Sequence, residues 1–269
     1  MLTAYFLIFS FIFGAIIGSF LNVLILRLPE DKSLGGRSHC PHCGRGLGFL
    51  DLIPILSFLA LRGKCRSCST QISARYLIIE LTVSCLFALA FYWFSPVTLI
   101  GFLEVIRVWF IVCILVAVFV IDFEHFLILD VIVFPASVVL LLFNIGLDYL
   151  SGGFQNGLYG MTVGGVFSAV ACSGVFFSMW AISKGRWIGF GDVKYMLFLG
   201  QIVGFPLTII GFFLSFFIGA LVAIPLMFTG KYSLASKLPL GTFLSIGFLS
   251  TFFYGQQMLN WYLGLIGLR

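Results

Sequence analysis

Eight stretches of this chain, at about 4–26, 75–94, 105–121, 129–147, 157–182, 193–204, 206–229 and 241–264, are almost uninterrupted runs of apolar residues. A helix crossing a bilayer needs about 20 such residues, because backbone polar groups must be satisfied internally where no water reaches. Hydrophobic residues make up 61% of the 269 and charged ones 9%, with a mean hydropathy of +1.16. That composition lies far outside the range of soluble domains. The expected fold class is an all-α polytopic membrane protein of about eight transmembrane helices. The sixth run is short, roughly 12 residues or about 18 Å of helix. It has to be buried among neighbours or begin in the headgroup region, unless it is re-entrant.

Charge decides between those readings and sets the orientation. With eight spans and the N-terminus outside, the loops after spans one, three, five and seven and their edges hold 13 of the 15 basic residues, all but Arg107 and Arg269. Basic residues collect on the cytoplasmic side, and a re-entrant sixth run would move Lys231 and Lys237 to the wrong face. Both termini are therefore expected outside. The net charge of +5 reports orientation rather than nucleic-acid affinity, and the first run is too long for a removable signal peptide.

Residues 29–73 are different in kind. They separate the first span, within 1–28, from the remaining spans in 74–269, and they contain Gly, Pro, charge and four of the seven cysteines. Cys40 and Cys43 form "CPHC" and Cys65 and Cys68 form "CRSC", two C-x-x-C pairs at a spacing that closes a tetrahedral zinc site. Disulfides are the alternative, but on the cytoplasmic side thiols stay reduced. Four thiolates leave no open coordination position, so the ion is expected to be structural and His39 and His42 to be bystanders. Cys85, Cys113 and Cys172 fall within spans, as small packing residues.

Chemistry has to come from elsewhere, and ionisable groups at membrane depth are costly enough to be the first candidates. Asp31 and Asp51 are loop residues, Asp148 is expected outside, and Glu104 can pair with Arg107 three residues on. That leaves Asp122, Glu124 and Asp130 in "DFEHFLILD", and Asp192 in "GFGDVKYMLFLG". Asp122 and Asp192 are expected at the same membrane border, where two carboxylates about 3 Å apart could share one proton and activate water. Gly189 and Gly191 clear side chains from the turn carrying Asp192. The plainer alternative is that Asp192 caps a helix.

Almost the whole chain resembles the type IV prepilin peptidases, a family of bacterial membrane aspartic proteases. The resemblance is carried by "GSFLNVLILRLP" at 18–29, the two cysteine pairs, "SARYLIIEL" at 73–81, "GFGD" at 189–192 and "KLPLGTFL" at 237–244. It implies that Asp122 and Asp192 are the catalytic pair within a protease core at 74–269. Gly189, Gly191, Glu124, Asp130 and Lys194 are expected beside the pair as supporting or substrate-binding residues. The implied reaction is cleavage of the basic leader of pilin or pseudopilin precursors on the cytoplasmic side of the bacterial inner membrane. Family members with such a cysteine loop often also methylate the new N-terminus with S-adenosylmethionine. Asn22, Arg27, Arg75 and Glu80, at the inner edges of spans one and two, could line that pocket or simply anchor helices at the interface. Leu77 and Leu129 stand where the family usually has proline.

The segment 122–130 holds three acidic residues and no Lys or Arg, so it could attract a basic leader. Two other classes remain. A proton-coupled transporter would also use intramembrane carboxylates, but near the midplane. A non-enzymatic zinc-loop assembly protein would leave the two aspartates unexplained.

Overall fold

The computed structural model describes residues 2–228 and 238–267, so Lys231, Lys237 and Arg269, which enter the orientation argument, lie outside the described residues. The chain forms nine α-helices among the described residues: α1 (Leu2–Arg27), α2 (Leu56–Ala60), α3 (Arg75–Phe94), α4 (Leu99–His125), α5 (Asp130–Ser151), α6 (Met161–Ser183), α7 (Phe190–Val203), α8 (Leu207–Phe228) and α9 (Leu240–Leu265). All but the five-residue α2 coincide with the eight apolar runs. Six of them, α1, α3, α4, α5, α6 and α8, are long and apolar enough to cross a membrane. The other two differ from that pattern for visible reasons. α7 has only 14 residues, and α9, with 26, carries Gln256, Gln257 and Asn260 in its last turns.

The chain divides into two compact units, Met1–Ala117 and Val118–Arg269. In the first, α1 lies along α3. Gly14 and Gly18 make this close approach possible, since a Cβ on either would stand 2.7 Å from Ser84 Cα or 2.8 Å from Glu80 Cα. Two small residues four apart are a common way for membrane helices to bring backbones together. Phe87 and Trp109 stack with centroids 5.0 Å apart, and the indole N–H donates to the Phe87 carbonyl at 3.0 Å.

In the second unit α7 is the central element. It packs on α5, α6 and α9, and nine of its 14 residues are buried, among them Tyr195, Phe198 and Leu199. A helix about 21 Å long therefore has protein on most sides, as its shortness demanded. Its backbone is tied to α6 by Ser173, whose hydroxyl donates to the Val193 carbonyl at 2.7 Å, and to α5 by Asn144, whose amide donates to the Gln201 carbonyl at 3.1 Å. α8 packs on α9 and leaves Phe213, Phe217, Leu221, Ile224 and Phe228 exposed. At that three- and four-residue spacing they form one apolar stripe, suited to lipid.

Candidate active site and metal centre

The cysteine loop is built from two matching turns. In the first, Cys40 N–H donates to the Arg45 carbonyl and Gly44 N–H to the Cys40 carbonyl, both at 2.9 Å. In the second, Cys65 N–H donates to the Thr70 carbonyl and Ser69 N–H to the Cys65 carbonyl, again at 2.9 Å. The residue after each pair turns left-handed, Gly44 at φ +69 and Ser69 at φ +55. The four sulfurs of Cys40, Cys43, Cys65 and Cys68 all lie within 4.8 Å of one another, and Cys40 Sγ is 3.8 Å from Cys68 Sγ. Sulfurs bound about 2.3 Å from one tetrahedral ion stand about 3.8 Å apart, so the donor set fits a metal ion. His39 and His42 are not part of the cluster. The Thr70 hydroxyl, 3.4 Å from Cys68 Sγ, and the Thr70 N–H bring the Cys68 thiol down to about 6. The Arg45 N–H favours the Cys43 thiolate, but burial and the sulfurs of Cys40, Cys68 and Cys65 outweigh it and push that thiol up to about 11.

Glu80 joins this loop to the helix pair. It is buried on α3, and its carboxylate accepts the Ile55 N–H at 2.7 Å. Ile55 has φ +63 and ψ −55, a conformation that a β-branched residue holds only under constraint. Asn22 donates to the Tyr76 carbonyl at 3.1 Å, joining α1 to α3. Arg27 directs one guanidinium nitrogen at the carbonyls of Ser33, Leu34 and Gly35, at 3.1, 3.0 and 2.6 Å. Arg75 lies against the Tyr76 ring at 5.8 Å.

The two aspartates meet in the second unit. Asp122 is in the last turn of α4 and Asp192 in the first turn of α7; both are buried and close enough to interact electrostatically. Each is also held by a helix N-terminus. Asp192 is the third residue of α7 rather than its cap, and its Oδ2 accepts the N–H of the cap residue, Gly189, at 3.2 Å. Asp122 is held by α9: its Oδ2 accepts the Thr242 N–H at 2.8 Å, and the Thr242 hydroxyl lies 3.3 Å from the same oxygen. First-turn N–H groups have no intrahelical acceptor, and a helix N-terminus favours negative charge.

Glycine makes the approach possible. A Cβ at Gly191 would stand 3.0 Å from Ile128 Cβ, and one at Gly241 would stand 3.0 Å from both Asp122 Oδ2 and Ile128 Cδ1. Ile128 thus separates the first turns of α7 and α9, and both turns need glycine to close on it. The segment 122–130 is less of a loop than expected. Asp122, Glu124 and His125 belong to α4 and Asp130 opens α5, so only 126–129 connects them. Its acidity is also reduced, because Lys194 of α7 pairs with Asp130 at 2.7 Å. Glu124 is exposed, with His125 Nε2 3.9 Å away.

Gly241 and Thr242 were not singled out from the sequence. They lie within "KLPLGTFL", but neither titrates, and nothing local indicates that this turn meets residue 122.

Two buried carboxylates at neighbouring helix ends of a polytopic helical membrane protein are the kind of pair that aspartic proteolysis uses. The chain belongs to the type IV leader peptidase family: the description of that family matches residues 109–224, and that of the bacterial peptidase A24 N-terminal domain matches residues 12–94. It is 34% identical to the prepilin leader peptidase/N-methyltransferase of Bacillus subtilis (strain 168), over 94% of this chain and 96% of that one. It is 30% identical to the protein of that name from Aeromonas hydrophila, over 94% and 92% of the two chains, and 27% identical to that of Pseudomonas aeruginosa, over 98% and 96%. No solved structure matches it.

Proposed function

We propose that this chain is a membrane aspartic endopeptidase that removes the basic leader of type IV prepilin-like precursors at the cytoplasmic face of the bacterial inner membrane, with Asp122 and Asp192 as the catalytic pair. The observation that carries this reading is the mutual approach of two buried carboxylates, each oriented by backbone N–H groups. Asp122 takes a proton from water as the water oxygen bonds to the scissile carbonyl carbon, and Asp192 gives its proton to the carbonyl oxygen. In the collapse that follows, the C–N bond breaks, the leaving nitrogen takes the proton from Asp122, and a gem-diol hydroxyl returns one to Asp192. A precursor with a basic leader and an apolar helix would present its scissile bond at the membrane border, and the charge distribution supports a place there for both aspartates. That distribution also supports an orientation with both termini outside. Transport and a purely structural assembly role are not favoured by the family.

The four cysteines are proposed to hold a structural Zn²⁺, on the spacing of their sulfurs. Methylation of the new N-terminus by S-adenosylmethionine is supported by the names of the relatives. Asn22, Arg27, Arg75 and Glu80 are proposed for the methyl-donor pocket; Asn22, Arg27 and Glu80 also hold one part of the chain to another. The deciding experiment is cleavage of a pilin-type precursor by purified Asp122→Asn and Asp192→Asn variants. Loss of cleavage in both, with expression and zinc content near normal, is the expected result; substantial cleavage by either overturns the assignment.

A further inference from the structure

We infer that Thr242 is a positioning residue for the dyad, which fixes Oδ2 of Asp122 and leaves Oδ1 as the oxygen that takes the proton from water. The inference rests on the reading of Asp122 and Asp192 as the catalytic pair.

A carboxylate on a helix end can rotate, and rotation exchanges which oxygen faces the reacting water. Thr242 prevents this from two directions. Its N–H, 2.8 Å from Oδ2, belongs to a helix turn and cannot swing away. Its hydroxyl lies 3.3 Å from Oδ2 and 3.2 Å from the Phe119 carbonyl of α4, so its single proton is shared between the carboxylate and the helix that carries it. Thr242 is 4% exposed, so water does not compete for either contact, and its β-branched side chain has few rotamers in a helix.

The same turn also reaches the other aspartate's helix. Ser245 donates to the Gly241 carbonyl at 2.8 Å, and its hydroxyl lies 2.8 Å from the phenol oxygen of fully buried Tyr195, which is three residues beyond Asp192 on α7. The first two turns of α9 are thus a common frame. Thr242 registers Asp122 to it, and Ser245 with Tyr195 registers the helix of Asp192.

The test uses the purified full-length chain and one precursor with a basic leader. Thr242→Val removes the hydroxyl at nearly constant volume and should lower kcat about five- to tenfold with KM changed less than about twofold, the pattern of an interaction that matters in the transition state. Thr242→Ser restores the hydroxyl and should return kcat to within about twofold of the unmodified enzyme. Asp122→Asn, measured alongside, separates the two levels. If Asp122→Asn cleaves normally, the dyad reading fails. If Asp122→Asn is inactive but Thr242→Val keeps full kcat, or folded Thr242→Ser loses as much as Thr242→Val, positioning by Thr242 is overturned. Should Thr242→Val not fold, Thr242→Ser alone decides: full kcat is required, and a folded Thr242→Ser variant with a reduced kcat overturns the inference.

Discussion

Lys194 on α7 holds both carboxylate oxygens of Asp130 at the start of α5, with Nζ to oxygen distances of 2.7 and 2.8 Å across 64 residues of sequence. The ammonium also lies 4.9 Å from the Phe190 ring and 5.7 Å from that of Phe134. An ion pair with one exposed partner contributes about 0–1 kcal/mol to stability. Its greater use is geometric, since it joins α5 to α7 two residues beyond Asp192. Asp130→Asn and Lys194→Met should each reduce kcat a few-fold, roughly threefold, and the double variant should be no worse than either single one. Additive losses in cleavage assays would show that the two residues act independently.

Glu124 is exposed two residues beyond Asp122. Glu124→Lys should raise KM for a precursor with a basic leader about two- to threefold, with kcat nearly unchanged, because it alters encounter and ground-state binding. Added salt should weaken binding to the unmodified enzyme more than to the variant, since exposed charges are screened over about 8 Å at physiological ionic strength. Identical KM values and salt slopes on basic and neutralised leaders would leave Glu124 as a solvated side chain.

Gly191→Ala should reduce cleavage about tenfold or more without loss of the fold. The added carbon would stand 3.0 Å from Ile128 Cβ, and if Asp192 reacts, a displacement of its turn by about 1 Å is costly. Kinetics on detergent-purified protein check this, with α-helical content by circular dichroism as the control. A variant with unaltered kcat would mean that the 126–129 segment yields freely.

Removal of the metal should separate the two halves of the chemistry. Chelation, or replacement of Cys40, Cys43, Cys65 and Cys68 by serine, should disorder residues 29–73 and abolish any methylation, while leader cleavage by Asp122 and Asp192 persists. Metal analysis should give one zinc per chain, reduced to background in the four-serine variant. Protein prepared reduced and found free of zinc would contradict the structural site.

Glu80→Ala should release the same loop by another route. It strips the buried acceptor from the Ile55 N–H and should cost about 1–3 kcal/mol, seen as faster proteolytic nicking near residues 49–60. Glu80→Gln keeps an acceptor oxygen and should nick at close to the original rate. Equal nicking of the Ala and unmodified proteins would show that Ile55 holds its left-handed conformation without Glu80.

The helices were legible in the sequence because the bilayer allows few alternatives: a run of about 20 apolar residues has one stable conformation there. The cysteine cluster was legible because its ligands announce themselves by spacing. Asp122 and Asp192 stood out because so few charges lie at membrane depth, and the structure buries both. Which backbone groups hold them did not, since Thr242 is an ordinary threonine until α9 is brought against α4. The pairing of Lys194 with Asp130 was hidden for the same reason. The sequence shows each charge on its own element, and the acidity of 122–130 looked unopposed because its counter-ion arrives from α7. Likewise the backbone partners of Arg27 and Glu80 are groups that composition cannot reveal.

Asp122 is held by a residue synthesised 120 positions after it. As the chain leaves the ribosome and enters the membrane from its N-terminus, Asp122 and then Asp192 are in place before the helix that orients the first of them exists. On the reading of the two as a catalytic pair, a truncated or half-inserted chain would carry both carboxylates without the N–H that orients Asp122, and hydrolysis would await the insertion of α9.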